Sequence, residues 1–208
     1  MLGVLCVFSS HLCVNQRISR QGAKRSHKTA KERNDSVSIP RRNLELKARC
    51  PNLRAAAARV VQLGARDAGL EVQTDTFFRV PSGRLKLREI SGQQAVLIGY
   101  ARPDQTGARM CNYHLAPVPD AAALKALLSD VLGVRGVVAK RRHVYLWHNV
   151  RIHLDEVAVL GSFIEFEAVL TLPADEAAAP AQLDELCRVF EIAPADHLAP
   201  SYADLLGL

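Results

Sequence analysis

Residues 43–49, NLELKAR, alternate strictly: Leu44, Leu46 and Ala48 are apolar, while Asn43, Glu45, Lys47 and Arg49 are polar or charged. Period two predicts a β-strand with one apolar and one charged face. The same alternation recurs in EVQTDTFFRV, RLKLREI, QQAVLIGYAR, RMCNYHLAPV, GVVAKRRHVYLW, NVRIHLDEV and GSFIEFEAVL, making eight strands in all. Between them, residues 53–69 are Ala-rich with apolar positions at helical spacing and end near Gly69, which predicts a helix. Residues 119–133 predict a second helix, opened by Pro119-Asp120 and closed by Gly133. AQLDELCRVFEI and SYADLLGL predict two short helices near the end, and DEAAAPAQ before them reads as a loop. The connections are short, so neighbouring strands are expected to be antiparallel.

The charges on the polar faces are sorted. Arg84, Lys86 and Arg88 share one face, with Leu85 and Leu87 on the other. Tyr100 pairs with Arg102, Lys140 with Arg142, and Glu165 with Glu167 in the same way. Arg151, His153 and Asp155 share a face opposite Ile152 and Leu154. Solvent-facing strands of an antiparallel sheet are commonly polar, which is the plain alternative. Like charges two residues apart on one face repel, however, so the arrangement is costly unless something neutralises it. Cations on some strands and carboxylates on others suit a polyanion held with a divalent cation. The carboxylates bind the metal, and Lys and Arg bind phosphate oxygens.

Composition narrows the picture. A hydrophobic fraction of 49% fits a globular domain with a core. The net charge of +6 is unevenly distributed: residues 1–42 carry nine Lys/Arg and two acids, and residues 43–208 carry 18 Lys/Arg and 19 acids. The basic character therefore belongs to the N-terminal segment, expected as a disordered arm over residues 1–40 ahead of a folded domain over 41–208. The near-neutral, aromatic-poor remainder argues against a nucleic-acid partner. Five cysteines without a C-x-x-C pair argue against a disulfide framework or zinc site and for a reducing, cytoplasmic setting. No apolar run reaches the ~18–20 residues of a membrane span.

These motifs resemble those of the CYTH group, the triphosphate tunnel enzymes that include class IV adenylyl cyclases and thiamine triphosphatases. NLELK resembles the E-x-E-x-K signature; QTDTFF, GRLKLRE and LIGYARPD resemble its next strands; RIHLDEVAVLGSFIEFE resembles its R-I-H-L-D-x-V-x-x-L-G-x-F-x-E-x-E segment; SYADLL resembles its C-terminal end. The resemblance implies an α+β fold: an eight-stranded antiparallel tunnel barrel with a charged interior and peripheral helices. It implies Glu45, Glu165 and Glu167 as ligands of Mg²⁺ or Mn²⁺, with Asp155 beside the metal. It implies Lys47, Lys86, Arg88, Arg102, Lys140 and Arg142 as triphosphate-gripping residues, with Arg151 a lesser member. Lys47, Arg88, Arg102 and Asp155 form the expected catalytic set. The expected partner is a small-molecule triphosphate, and the expected assembly a homodimer.

One position departs from the pattern. Asn43 stands where the signature has its first acid, offering a carbonyl oxygen but no charge. Three activities stay open at this point: hydrolysis of a triphosphate, cyclisation of ATP, and binding without turnover. Hydrolysis leads, because no polar pair stands out to read a base edge. His153 reads as structural, Tyr100 and Tyr113 as tunnel-mouth or packing residues, Arg141 as surface, Trp147 and His148 as a hairpin turn, Gly161 as a turn former, and SYADLL as packing.

Overall fold

The computed structural model describes residues 40–208. The basic segment expected over residues 1–40 lies, apart from Pro40, outside the described residues. Eight strands close into one barrel: β1 (Arg41–Arg49), β2 (Arg66–Phe78), β3 (Arg84–Ile90), β4 (Ala95–Ala101), β5 (Arg109–Val118), β6 (Val134–Trp147), β7 (Val150–Val157) and β8 (Gly161–Leu170). Their order around the barrel is β1-β5-β4-β3-β2-β6-β7-β8, and every neighbouring pair is antiparallel. The helices α1 (Leu53–Gln62), α2 (Ala121–Leu132), α3 (Pro173–Val189) and α4 (Tyr202–Leu205) lie outside this barrel. All eight expected strands are present.

Most of the apolar core sits between barrel and helices, and a smaller cluster closes one end of the barrel. Leu46 and Ala48 of β1, Ile152 and Leu154 of β7, and Ile164 and Phe166 of β8 point outward and bury against Val60 of α1 and Ala179, Leu183 and Leu186 of α3. Phe78 and Leu87 are covered by Leu124 and Leu128 of α2. The charged face of β1 therefore points into the barrel: Asn43, Glu45 and Lys47 are all buried. Phe166 is fully buried and packs on Phe190, with ring centroids 5.4 Å apart. Phe166→Ala is expected to cost about 3–5 kcal/mol of stability, read as a lower midpoint in urea unfolding.

Two expectations of secondary structure need correction. The helix expected over residues 53–69 ends at Gln62. Gly64 adopts φ +72, which breaks the helix, and Arg66–Leu70 instead pair with β6 from Leu146 to His143. The loop expected at DEAAAPAQ is the first half of α3. Pro173 begins that helix, and the Asp175 carboxylate accepts hydrogen bonds from the backbone N–H groups of Thr171 and Leu172 at 2.9 and 2.8 Å. Pro180 lies on its solvent face and is tolerated because buried Ala179, Leu183 and Leu186 anchor the opposite face. Gly161 turns the chain from β7 into β8 at φ +90, as expected.

Among the described residues, Cys50, Cys111 and Cys187 are free thiols, and no helix is long and apolar enough to cross a membrane.

Candidate functional site

The barrel encloses a cavity of about 350 Å³ whose lining is dominated by the inward faces of the strands. Seven Lys/Arg side chains and five carboxylates line it, so positive charge is in excess. The cations are Lys47, Lys86, Arg88, Arg102, Lys140, Arg142 and Arg151, which is the full set expected to grip phosphate. Glu45, Glu165 and Glu167 line the same space.

Strand register sorts the charges into walls. On the β1–β8 side, Glu45 lies opposite Glu167 and Lys47 opposite Glu165. Two carboxylates directly opposite one another repel, and this favours either a shared proton or a cation. Burial first, and then the charges of Glu165 and Glu167, push the Glu45 carboxyl above its usual range. The charges of Arg109, 3.0 Å away, and of Lys47 partly offset this, and Arg102 lies 3.2 Å from the same carboxylate. Glu165 receives Arg142 at 2.6 Å and Lys47 at 3.6 Å. Burial would raise its carboxyl, but the charges of Lys47 and Arg142 hold it well below the usual range.

His153 faces both glutamates. Its Nδ1 lies 3.7 Å from Glu165 Oε2 and 3.9 Å from Glu167 Oε1, yet this buried nitrogen makes no hydrogen bond. Donor atoms of His153, Glu165 and Glu167 all lie within 4.8 Å of one another. Two carboxylates and an orphaned imidazole nitrogen fit a divalent cation. The oxygens suit Mg²⁺ or Mn²⁺, and the imidazole adds a donor that first-row metals accept readily. Asn43 contributes a second orphan, because its buried Oδ1 lines the cavity without a hydrogen-bond partner.

The opposite wall is organised by a residue that was not singled out in the sequence, Asp75 of β2. Its carboxylate accepts from Arg88 Nε at 2.7 Å and Nη2 at 2.8 Å, from Lys86 Nζ at 3.1 Å and from Lys140 Nζ at 3.1 Å. Burial would raise the Asp75 carboxyl, but Arg88, Lys140 and Lys86 together hold it well below its usual range. One carboxylate cannot neutralise three cations. Burial, aggravated by Arg88, Arg142 and Lys86, accordingly pushes Lys140 well below the usual lysine range. The charged form of each of these three cations becomes more favourable when an external anion enters.

Asp155 is placed differently from the three glutamates. It is fully buried, both of its oxygens take the Arg142 guanidinium at 2.6 Å, and the Tyr202 hydroxyl donates to it at 2.6 Å. Burial opposes its ionisation, yet Arg142 carries the carboxyl down to about 2. Its oxygens thus orient Arg142. Arg109, also not singled out, is completely buried and bridges Glu45 to the carbonyls of Gln105 and Leu198. Asp75 and Arg109 stand alone among apolar or polar neighbours in QTDTFF and RMCNYHL, so the paired-charge signal passes over them.

The two ends of the barrel differ. One is filled by α4 and the residues around it, where Tyr202, Ala203, Leu205 and Leu208 pack on Phe77, Val138, Val157 and Phe163. The other carries half-buried Ile90, Val96, Ile98, Leu115, Val144 and Leu146 beyond the cation wall, with Tyr113 among them. Tyr100 also lines the tunnel, whereas Arg141 is exposed on the outer face beside Glu156.

Residues 41–202 match the CYTH domain. The chain belongs to the CYTH family. No curated protein sequence matches it. Its fold is shared with solved structures of low identity. The PH1012 protein of Pyrococcus horikoshii has a TM-score of 0.68 at 24% identity, over 78% of this chain and 98% of that one. A Vibrio parahaemolyticus protein provisionally named an adenylate cyclase has a TM-score of 0.66 at 22% identity, over 80% of this chain and 98% of that one. HpAC1 of Hippeastrum, provisionally named an adenylyl cyclase and found to have a dominant triphosphatase activity, has a TM-score of 0.55 at 16% identity, over 79% and 93%. At these identities the CYTH chain shares their fold, and its chemistry rests on its own side chains.

Proposed function

We propose that this CYTH protein is a divalent-metal-dependent phosphohydrolase acting on a triphosphate bound inside the barrel. The observation that carries the reading is the pair of facing walls. An under-neutralised cation set (Lys86, Arg88 and Lys140, sharing the one carboxylate of Asp75) looks across about 350 Å³ at the His153–Glu165–Glu167 cluster. A triphosphate is a linear anion with oxygens along its whole length, so it can satisfy several cations at once. The neighbouring HpAC1, with its dominant triphosphatase activity, accords with this reading.

His153, Glu165 and Glu167 would hold the cation, with the Asn43 and Glu45 oxygens nearby on β1. A divalent cation there would supply Lewis-acid polarisation of phosphoryl oxygens. The remaining chemistry belongs to the side chains. Lys86, Arg88 and Lys140 neutralise non-bridging oxygens and fix the chain of phosphates in one register. Arg142, locked by Asp155, is pre-oriented toward charge that grows as the P–O bond breaks, and needs no reorganisation at that moment. A water adds to the terminal phosphorus, the bridging P–O bond breaks, and orthophosphate leaves together with the shortened polyphosphate.

A second reading, cyclisation of ATP to cyclic AMP and pyrophosphate, draws support from one feature. The half-buried aliphatic residues Ile90, Val96, Ile98 and Leu115 at the open end give an organic group on the triphosphate a surface to cover. Phosphorus NMR on the full chain with Mn²⁺ or Mg²⁺ separates the readings. Orthophosphate from tripolyphosphate, with ATP left uncyclised, is expected. Cyclic AMP with pyrophosphate from ATP would replace hydrolysis by cyclisation. Tight binding of tripolyphosphate without turnover would make the protein a binder and direct attention to Asn43.

A further inference from the structure

The C-terminal segment does more than close one end of the tunnel. His197 bridges to Ala48, and the Leu198 N–H donates to the Lys47 carbonyl at 2.9 Å. The Leu198 carbonyl accepts from Arg109 Nη1 at 2.8 Å and the Ala199 carbonyl from Arg102 Nη1 at 3.0 Å. Both guanidiniums that hold Glu45 are thus tied to this segment. Ser201 caps α4 through Asp204, which Arg135 holds at 2.6 Å. These contacts deliver Tyr202 to the tunnel wall, where it is buried and lines the cavity.

Tyr202 faces two lysines of the tunnel directly and reaches Arg142 through Asp155. Lys47 Nζ lies 3.9 Å from its ring centroid and Lys140 Nζ 5.4 Å from it. Its hydroxyl donates to Asp155 Oδ2 at 2.6 Å, and Asp155 holds Arg142 with two hydrogen bonds. Packing alone explains a large side chain here, since Phe163 lies 5.0 Å away centroid to centroid. It does not explain two ammonium groups over the ring or a hydroxyl aimed at a buried ion pair.

We infer that Tyr202 is a positioning residue that places Lys47 and Lys140 through its ring and Arg142 through its hydroxyl and Asp155. This rests on the triphosphate reading. A lysine ammonium is a mobile point charge on a flexible stem. A ring face holds such a cation without consuming its N–H donors, so they stay available to phosphate oxygens. Arg142 Nη2 also meets Glu165 at 2.6 Å, but only Asp155 takes both Nε and Nη2, so the plane of the fork follows any rotation of Asp155. The Tyr202 hydroxyl fixes that rotation.

The test compares full-length wild type, Tyr202→Phe and Tyr202→Leu. The readouts are kcat and KM for tripolyphosphate with Mn²⁺, and calorimetric binding of tripolyphosphate to the metal-free protein. Tyr202→Phe keeps the ring, so metal-free affinity should stay within about threefold of wild type while kcat falls about 10-fold or more through a loosened Arg142. Tyr202→Leu loses the ring as well, and affinity should weaken by roughly a further 10-fold. Asp155→Asn combined with Tyr202→Phe should lower kcat little more than Asp155→Asn alone, because both act through one chain of contacts. Unchanged kcat and KM in a folded Tyr202→Phe would overturn the hydroxyl role, as would full additivity with Asp155→Asn. Equal affinities of Phe and Leu variants would overturn the ring role. If Tyr202→Leu does not fold, Tyr202→Trp, which keeps an aromatic face, should retain affinity that Tyr202→Met loses; equal losses would overturn the ring role. Wild type that neither binds nor hydrolyses tripolyphosphate would instead remove the triphosphate reading and this inference with it.

Discussion

Glu167→Ala is expected to lower the proposed metal-dependent hydrolysis of tripolyphosphate by about 10³-fold while the barrel stays folded. Of Glu45, Glu165 and Glu167, the last is the one whose removal separates chemistry from stability. Glu45 is held by Arg102 and Arg109, and Glu165 by Arg142 and Lys47, all at buried positions. Deleting either would strand buried cations and confound the result. Glu167 lies 3.6 Å from half-exposed Arg151 and 3.9 Å from His153, so its loss leaves little buried charge uncompensated. Its oxygen is also one of the three converging donors of the proposed metal cluster. The measurement is turnover against Mn²⁺ concentration, with an unfolding curve for each variant. A large loss of kcat, partly recovered at high Mn²⁺, is expected. Wild-type turnover at all metal concentrations would remove Glu167 from the metal set.

The architecture was legible because the signal was periodic. Each strand alternates, and a barrel whose interior is charged must repeat that alternation on every strand with the charges sorted by wall. Leu44–Ala48 against Glu45–Lys47 already contains the answer, since apolar residues can be buried under α1 and α3 only if the charged face turns inward. The cation set and the three glutamates followed from paired spacing and from the CYTH resemblance.

What escaped had no periodic partner. Asp75 is one acid among Thr, Gln and Phe, and its importance arises from β3 and β6 flanking β2, an adjacency that only the closed barrel creates. Arg109 escapes for the same reason, since β1–β5 pairing sets it opposite Glu45, and Tyr202 is brought to the site by the path of residues 197–202 across the end of the barrel. The helix expected to reach Gly69 failed because residues 66–70 find backbone partners on β6, and tertiary pairing overrides local propensity. DEAAAPAQ, read as a loop, is helical although it contains Pro180, because an N-terminal cap and a buried face outweigh one lost hydrogen bond.

Asp75→Asn is expected to destabilise the protein by about 3–5 kcal/mol, because it removes the counter-charge of three buried or half-buried cations while keeping the shape of the side chain. Lys86, Arg88 and Lys140 would then repel one another across a few ångströms with little water to screen them. The same change leaves the tunnel more positive, so an added polyanion should stabilise the variant more than it does the wild type. The internal carboxylate and an external triphosphate satisfy the same cations, and removing the first increases the gain from the second. The measurement is the thermal midpoint of both proteins with and without tripolyphosphate. The expected result is a lower midpoint for the variant alone and a larger upward shift on ligand addition, following mass action on the folded state. An unchanged midpoint would mean that the three cations are solvated rather than held by Asp75. A lower midpoint with no enlarged ligand shift would mean that tripolyphosphate does not reach the cation wall, and the facing-wall reading of the tunnel would fall with it.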